Sequence, residues 1–162
     1  PTIAMIQGYC IGGGMGLAVA CDIRLCEDKS RFAIPAAKLG LGYGYEGIRR
    51  LANLVGPAMV KEIFFTARQF SAGEAQEMGL VNRVLPPHML APYVDDYAKR
   101  ISENAPMTME SVKAIVQAIQ DDESARDLDA LDAMVKACFA SQDYIEGRRA
   151  FMEKRKPNFT GS

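Results

Sequence analysis

The segment IAMIQGYCIGGGMGLAVACD, residues 3–22, is the part of the sequence that decides the fold. An apolar run begins at Ile3 and ends before Gly8, which is typical of a buried strand. Glycines follow at 12–14, and the small apolar residues at 17–20 then favour a helix. Such a turn leaves free backbone N–H groups at the helix start, where the positive end of the helix dipole also lies. The segment therefore predicts a site for an anion or a developing oxyanion, because glycine lets a substrate touch the backbone.

Two common phosphate-binding motifs do not fit this glycine turn. A dinucleotide fingerprint, G-x-G-x-x-G, that starts at Gly12 would need its third glycine where Leu17 stands. A P-loop needs a lysine after its last glycine, and none follows Gly14. The alternative to an anion site is a tight strand–helix turn without any chemistry.

Composition and charge exclude several classes of function. The 162 residues suffice for one domain with a sizeable core, and a net charge of −1 predicts neither nucleic acid nor a membrane as a partner. No apolar run approaches the ~20 residues of a membrane span. The four cysteines form no C-x-x-C pair, and the one histidine, His88, is too little for a zinc site. We therefore expect reduced thiols in a cytoplasmic protein without a metal.

Strand and helix patterns alternate in the first half of the chain, and helical patterns fill the second half. Ser71 and Glu74 have the spacing of a capping box, and Gly56 followed by Pro57 predicts that one helix ends where the next begins. Further strands are predicted at residues 22–26, 31–34 and 80–85, a helix at 48–55, amphipathic helices at 90–101, 112–119 and 128–138, and a last helix from about 142.

This layout predicts an α/β fold in which βα units precede a helical region. The helices of the second half cover a sheet or pack on other subunits. The chain begins at Pro1, directly before a buried strand, so we expect the natural protein to contain further residues upstream.

Several motifs resemble the crotonase (enoyl-CoA hydratase/isomerase) superfamily, in the same order along the chain. G-Y-C-I-G-G-G-M at 8–15 and A-C-D-I-R at 20–24 are similar to its glycine signature. F-A-I-P at 32–35, S-A-G-E-A-Q-E-M-G-L-V-N-R-V at 71–84 and E-G-R-R-A-F-M-E-K-R-K-P-N-F at 146–159 continue the match. The resemblance implies a ββα-spiral core, of which residues 1–86 are the C-terminal part, and a helical trimerisation and CoA-contacting region at 87–162. The N-terminal part of that fold is missing.

The resemblance also implies the chemistry of the site. Its substrate is an acyl-CoA whose thioester carbonyl becomes an enolate, held by two backbone N–H groups. Gly13 would supply one of them, with Gly12 and Gly14 as neighbouring substrate contacts, and the missing part would supply the other. Coenzyme A is then part of the substrate and no separate cofactor is needed. The implied assembly is a homotrimer or a dimer of trimers.

Two departures from the hydratase pattern weaken the expectation of hydration. Similar hydratases carry one glutamate right after G-G-G-x and another right after F-A-x-P, and this chain has Gly16 and Ala36 there. Neither residue can move a proton, although hydration needs a positioned acid and base. Ala36 leaves the site near the α-carbon of the acyl group roomier and less negative.

Four other residues are candidates for binding or catalysis. Tyr43 matches an aspartate of similar dienoyl-CoA isomerases and naphthoate synthases, and a tyrosine of a similar malonyl-type decarboxylase; alternatively it is an aromatic that fills the acyl pocket. Glu46 matches the nucleophilic aspartate of a similar chlorobenzoyl-CoA dehalogenase; alternatively it suits the first turn of a helix. Phe151 and Lys154 match residues that contact the adenine and phosphates of CoA; alternatively Lys154 belongs to a basic last helical turn.

The sequence therefore predicts an acyl-CoA enzyme that stabilises an enolate without the hydratase glutamates. Decarboxylation, isomerisation and C–C bond chemistry all remain open. The alternative is a CoA-binding or assembly module of the same fold that has lost catalysis.

Overall fold

The structure, a computed structural model, describes all 162 residues as eight helices and six short strands. The strands are β1 (Ile3–Ile6), β2 (Tyr9–Ile11), β3 (Ile23–Glu27), β4 (Arg31–Ala33), β5 (Phe70–Ser71) and β6 (Arg83–Leu85). The helices are α1 (Gly13–Ala20), α2 (Tyr45–Val55), α3 (Pro57–Thr66), α4 (Ala72–Glu77), α5 (Pro87–Ser102), α6 (Pro106–Gln120), α7 (Leu128–Ala140) and α8 (Gln142–Glu153). Short 3-10 helices form at Ala36–Leu39 and Glu123–Ala125.

The strands form two three-stranded sheets. The first sheet is parallel and has the order β1–β3–β6; in the second, of order β2–β4–β5, β4 pairs in parallel with β2 and antiparallel with β5. Because β2 and β4 are parallel, the residues that follow them lie at the same edge of the sheet. The Gly12 N–H donates a hydrogen bond to the Ala33 carbonyl at 2.9 Å, so the glycine turn is fixed beside the end of β4.

The predicted α/β fold is confirmed, and the strand pattern was incomplete. β2 and β5 were not predicted, because runs of three and two residues are too short to show a period. The extended segment predicted from residue 80 is a strand only at Arg83–Leu85. Ile6 is buried as predicted, but the neighbouring Met5, which points to the opposite face of β1, is 46% exposed.

The boundaries predicted from helix-capping residues are confirmed. Gly56 ends α2 with a φ of 79°, and Pro57 is the first residue of α3. The Glu74 N–H donates to the Ser71 hydroxyl at 3.2 Å, and the Ser71 N–H donates to the Glu74 carboxylate at 2.8 Å. This reciprocal pair is the predicted capping box, and it fixes the start of α4.

The chain divides into two compact units, residues 2–96 and residues 97–162 together with Pro1. The core of the first unit has large apolar side chains from both sheets and from α1–α3. Those that are almost completely buried include Met15, Leu25, Phe32, Leu51, Ile63 and Phe70. The functional division predicted at residues 86 and 87 stays a prediction.

Cys10 and Cys26 also lie in the core of the first unit, and all four cysteines are free thiols. Burial raises the pKa of Cys10 to about 11 and that of Cys26 to about 12. None of the helices has the length and apolar character that crossing a membrane requires. The cytoplasmic location stays a prediction.

The second unit is built from helices that bury few side chains. Its buried residues are Ser111, Ser141, Asp143 and Ala150. The Asp143 carboxylate accepts hydrogen bonds from the backbone N–H groups of Thr160 and Gly161, so the start of α8 holds the C-terminal segment. α6, α7 and α8 with this segment enclose a cleft of about 580 Å³ whose lining is mostly apolar.

Candidate active site

The glycine turn presents an open helix start. Gly12 has a φ of 57°, which favours glycine, and α1 begins at Gly13. Gly13 and Gly14 are exposed, and a Cβ atom placed on either would meet no other atom within 4 Å. The first N–H groups of a helix have no intrahelical acceptor, so these groups can donate hydrogen bonds to an oxygen atom of a ligand. The predicted oxyanion position at Gly13 therefore has the geometry that it needs, while its role stays a prediction.

Tyr43 lies between the glycine helix and α2. A Cβ atom on Gly16 would lie 3.7 Å from the Tyr43 hydroxyl oxygen. A Cβ atom on Gly47 would lie 3.0 Å from Cε1 of the same ring, so a side chain at position 47 would displace the ring. The ring also packs edge-on against Phe64, with centroids 4.9 Å apart at 73°. These contacts hold the half-buried Tyr43 with its hydroxyl beside Gly16, one of the two positions where similar hydratases carry glutamate.

Glu46 lies at the surface, whereas Ala36 is buried. Glu46 is in the first turn of α2, and its carboxylate accepts a hydrogen bond from Arg49 Nη2 at 3.0 Å. The Glu46 side chain is 63% exposed, so this ion pair with Arg49 is at the surface. That placement favours the helix-start interpretation of Glu46 over the nucleophilic one. Ala36 begins the 3-10 helix and is buried in the core, and its predicted contact with substrate stays a prediction.

The second unit carries the two residues predicted to contact CoA. Phe151 lies in the last turn of α8 and is 82% exposed. α8 ends at Glu153, so Lys154 follows the helix and is not part of a basic last turn. Lys154 has a φ of 54°, a left-handed conformation that costs a non-glycine residue energy. Arg155 pairs with Glu146 and Glu153, and Lys154 makes no ion pair, so its ammonium group is free for a ligand.

The family model "Enoyl-CoA hydratase/isomerase" matches residues 1–162. The chain belongs to the enoyl-CoA hydratase/isomerase family. It is 41% identical over 161 residues to crotonyl-CoA hydratase of Syntrophomonas wolfei, with 98% of this chain and 61% of the relative covered. It is 36% identical over 165 residues to carnitinyl-CoA dehydratase of Salmonella arizonae, with 99% of this chain and 63% of the relative covered.

Solved structures of the enoyl-CoA hydratase/isomerase family show the same fold. The chain is similar to an enoyl-CoA hydratase/carnithine racemase from Magnetospirillum magneticum, with a TM-score of 0.90, 35% identity and coverage of 100% of this chain and 60% of that one. The chain is also similar to an enoyl-CoA hydratase subunit from Geobacillus kaustophilus, with a TM-score of 0.90 and 36% identity. This match covers 100% of this chain and 63% of the Geobacillus chain. The crotonase resemblance and the crotonase-like spiral core are confirmed, and the chain spans about 60% of the length of these relatives.

Two residues that shape the surroundings of Tyr43 were not found from the sequence. Gly47 leaves room for the Tyr43 ring, and Phe64 packs against that ring's edge. Tyr43 lies two residues before α2 and Gly47 in its first turn, so their closeness in sequence was the available signal for the first contact. Phe64 is in α3, and no local pattern relates it to Tyr43.

Proposed function

We propose that the complete protein acts on an acyl-CoA thioester by stabilising its enolate, with the Gly13 N–H as one oxyanion donor. The observation that carries this proposal is the exposed start of α1 at Gly13, on the same helix as Gly16, whose missing side chain leaves the Tyr43 hydroxyl 3.7 Å from the Cβ position of residue 16. In enzymes where one such donor has been removed, the loss of transition-state stabilisation is about 2.7–4 kcal/mol. The names of the relatives, among them crotonyl-CoA hydratase, support a CoA thioester as the substrate class.

Water addition is not the reaction that this site favours. Gly16 and Ala36 can neither accept nor donate a proton, and a positioned acid or base typically contributes 10²–10⁴-fold to the rate. The Tyr43 hydroxyl is the polar side-chain group next to Gly16, and no protein group hydrogen-bonds to it. We therefore expect crotonyl-CoA to bind and to be hydrated very slowly.

Among the reactions that pass through an enolate, decarboxylation suits these residues best. A carboxylated acyl group would meet no like-charged glutamate at positions 16 and 36, so electrostatic repulsion would not oppose its binding. The Tyr43 hydroxyl can donate a hydrogen bond to the substrate carboxylate and turn it out of the thioester plane. The bond between the α-carbon and the carboxylate then breaks, its electron pair enters the enolate, carbon dioxide leaves, and a proton later returns to the α-carbon.

The test is a panel of CoA thioesters presented to the complete protein, together with two matched variants. Tyr43→Phe keeps the ring and removes the hydroxyl, and we expect it to lower turnover at least tenfold, about 1.4 kcal/mol. Glu46→Gln keeps the size of the side chain and removes its charge, and we expect a much smaller effect because Glu46 is an exposed partner of Arg49. The panel contains crotonyl-, malonyl- and methylmalonyl-CoA, and turnover is followed by mass spectrometry of the products.

Three outcomes would contradict parts of this proposal. Rapid hydration of crotonyl-CoA, in protein proven free of host enzymes, would show that other residues supply the acid and base. Full activity of Tyr43→Phe with an inactive Glu46→Gln would make the Glu46 carboxylate the working group, as nucleophile or base. Binding of every thioester without turnover would support the second candidate, a CoA-binding module without catalysis, which the lack of both glutamates favours.

We also propose that the helical region assembles the protein and contacts the CoA moiety. Phe151 is exposed and can stack on adenine, and the unpaired ammonium group of Lys154 can bind a phosphate. Apolar residues of α6 and α7, such as Ile119 in α6 and Phe139 in α7, are exposed and would be covered in a trimer or a dimer of trimers. Light scattering tests the assembly, and a monomer at micromolar concentration would contradict it.

A further inference from the structure

A buried arginine in β3, Arg24, contacts the carbonyl end of α1. Arg24 is 4% exposed, and its guanidinium group is in the core of the first unit. The guanidinium donates hydrogen bonds to the backbone carbonyls of Leu80 at 2.7 Å, Cys21 at 2.6 Å and Ala18 at 3.3 Å. Burial lowers the pKa of Arg24, while Cys21 and Asp22 raise it. Because an arginine keeps its proton in proteins, a full positive charge is buried here.

Two of these contacts lie at the carbonyl end of α1. The last four carbonyl groups of a helix have no intrahelical partner and carry partial negative charge. Ala18 is in the last turn of α1, and Cys21 is the residue directly after the helix. The Arg24 guanidinium thus satisfies the Cys21 carbonyl and adds a second hydrogen bond to the Ala18 carbonyl, which also accepts one from the Cys21 N–H at 3.2 Å. Its positive charge complements the helix dipole. Its third bond joins the same end to the segment before β6.

α1 has few other polar contacts with the rest of the fold that could fix its position. The helix is eight residues long, so it spans about 12 Å. Only Met15 and Ala18 are buried in it, Leu17 is exposed, and no side chain caps its N-terminus. At that first end the Gly12 N–H donates a backbone hydrogen bond to the Ala33 carbonyl. Arg24 therefore supplies the main polar anchor at the opposite end.

We infer that Arg24 is a positioning residue for the oxyanion site. Arg24 fixes the carbonyl end of α1 to the segment before β6 through the Leu80 carbonyl. In this way it sets the axis of α1 and thus the direction in which the Gly13 N–H points. This inference rests on the proposed function, because the direction of that N–H matters only if it receives the thioester oxygen. A misplacement of about 1 Å can cost about 10²-fold in rate, so a residue far from the chemistry can control turnover.

The test measures the polarisation of a thioester carbonyl bound to the complete protein. The probe is butyryl-CoA with ¹³C at the thioester carbonyl, observed by difference infrared spectroscopy. In the unsubstituted protein we expect the carbonyl band to move to lower wavenumber on binding, as a hydrogen-bonded carbonyl does. Arg24→Lys keeps the positive charge but cannot make the three hydrogen bonds of the guanidinium group. We expect this variant to lose at least half of the shift, while its Kd for butyryl-CoA changes less than threefold. With a substrate identified from the panel, kcat should fall at least tenfold with KM nearly unchanged.

A control variant and a second substitution make the result decisive. Arg31→Met removes another arginine that donates to backbone carbonyls, those of Lys29 and Ser30, without contact to α1, and should keep the full shift. Arg24→Met should abolish the shift of the carbonyl band if this variant folds. If Arg24→Met does not fold, the result with Arg24→Lys is sufficient to test the positioning role. A full shift in folded Arg24→Lys would overturn the positioning role. The absence of any shift in the unsubstituted protein would instead overturn the proposed oxyanion function, and the positioning role with it.

Discussion

The two compact units of the chain differ in where their apolar side chains lie. In residues 2–96, large side chains such as Phe32, Phe70 and Leu51 are almost completely buried. In residues 97–162, α7 buries no residue, and Phe139 in α7 is 63% exposed. Both regions nevertheless have strong apolar patterns in the sequence. An apolar stripe thus shows that a face is suited to burial, but not whether the same chain covers it.

The difference agrees with the division of work that we propose. The first unit has a packed core that includes Met15 and Ala18 of α1, and the open N-terminus of α1 is the proposed oxyanion site. The second unit has apolar faces available to a surface outside this chain, in keeping with a role in assembly. The same substitution should therefore have different consequences in the two units.

Two phenylalanine substitutions give the largest expected contrast. Phe32→Ala removes a fully buried ring, and we expect it to lower the free energy of unfolding by about 3–5 kcal/mol. Phe139→Ala removes an exposed ring that packs edge-on against Tyr144 with centroids 5.3 Å apart, and we expect a loss of about 1 kcal/mol. Urea unfolding of both variants at a low and a high protein concentration measures the two effects.

The concentration dependence sharpens the comparison. If copies of the protein cover α7, the cost of Phe139→Ala should grow with protein concentration while that of Phe32→Ala stays constant. An equal and concentration-independent cost for both variants would break the comparison, because it would mean that Phe139 is as fully covered within one chain as Phe32.

Most of the first unit's fold was predictable because its signals are local. The capping box at Ser71 and Glu74 and the helix change at Gly56 and Pro57 depend on residues a few positions apart, and both are confirmed. β2 and β5 were missed because their pairing partners come from distant parts of the chain and each strand is too short for a pattern. The crotonase motifs supplied the overall fold, which periodicity alone could not.

Each unit has a helix-capping serine, and removing its hydroxyl tests whether the two units are stabilised by their helix starts to the same extent. Ser71→Ala removes the acceptor for the Glu74 N–H, and Ser141→Ala removes the acceptor for the Tyr144 N–H at 3.0 Å. Each should lower the free energy of unfolding by about 1 kcal/mol, the usual value of a helix cap. Ser102→Ala is the control, because its exposed hydroxyl bonds to the Lys99 carbonyl without capping a helix start, and it should cost less than about 0.5 kcal/mol.

Thermal unfolding of the three serine variants measures these costs. A neutral Ser141→Ala with a destabilising Ser71→Ala would show that the start of α8 contributes nothing to the transition observed. That result would sharpen the comparison by separating the stability of the helical unit from that of the first unit.

The candidate site was less predictable than the fold. Gly13 follows from its position in a glycine turn, and its placement at the start of α1 has the predicted form. The contact of the Tyr43 hydroxyl with Gly16 and the hold of Arg24 on α1 join residues from different elements. Such contacts depend on how elements pack, and a single sequence carries no local signal for them.

The smallest expected effect concerns two glutamates whose pKa values are lowered, one in each unit. The Ser71 backbone N–H and the Arg68 side chain lower the pKa of Glu74 to about 2, and the Arg155 side chain and the Asn158 N–H lower that of Glu146 to about 2. A lowered pKa in the folded state means that the carboxylate stabilises that state above the ordinary pKa of about 4.5. This contribution is lost as the pH falls from about 4.5 towards 2.

The two losses should have different local consequences. Glu74 closes the capping box, so its protonation should loosen the first turn of α4, whereas Glu146 holds the C-terminal segment through Asn158 at 3.0 Å. Amide NMR from pH 6 to 1 should show the Asn158 signal moving with a midpoint near pH 2, and Glu146→Gln should remove that titration. A midpoint near 4.5 would mean that the Glu146 carboxylate is not held by Arg155 in solution. The C-terminal segment would then be held mainly by its hydrogen bonds to Asp143 and by the ion pair of Lys156 with Glu103. The second unit would be still less fixed by its own contacts than its exposed apolar faces already indicate.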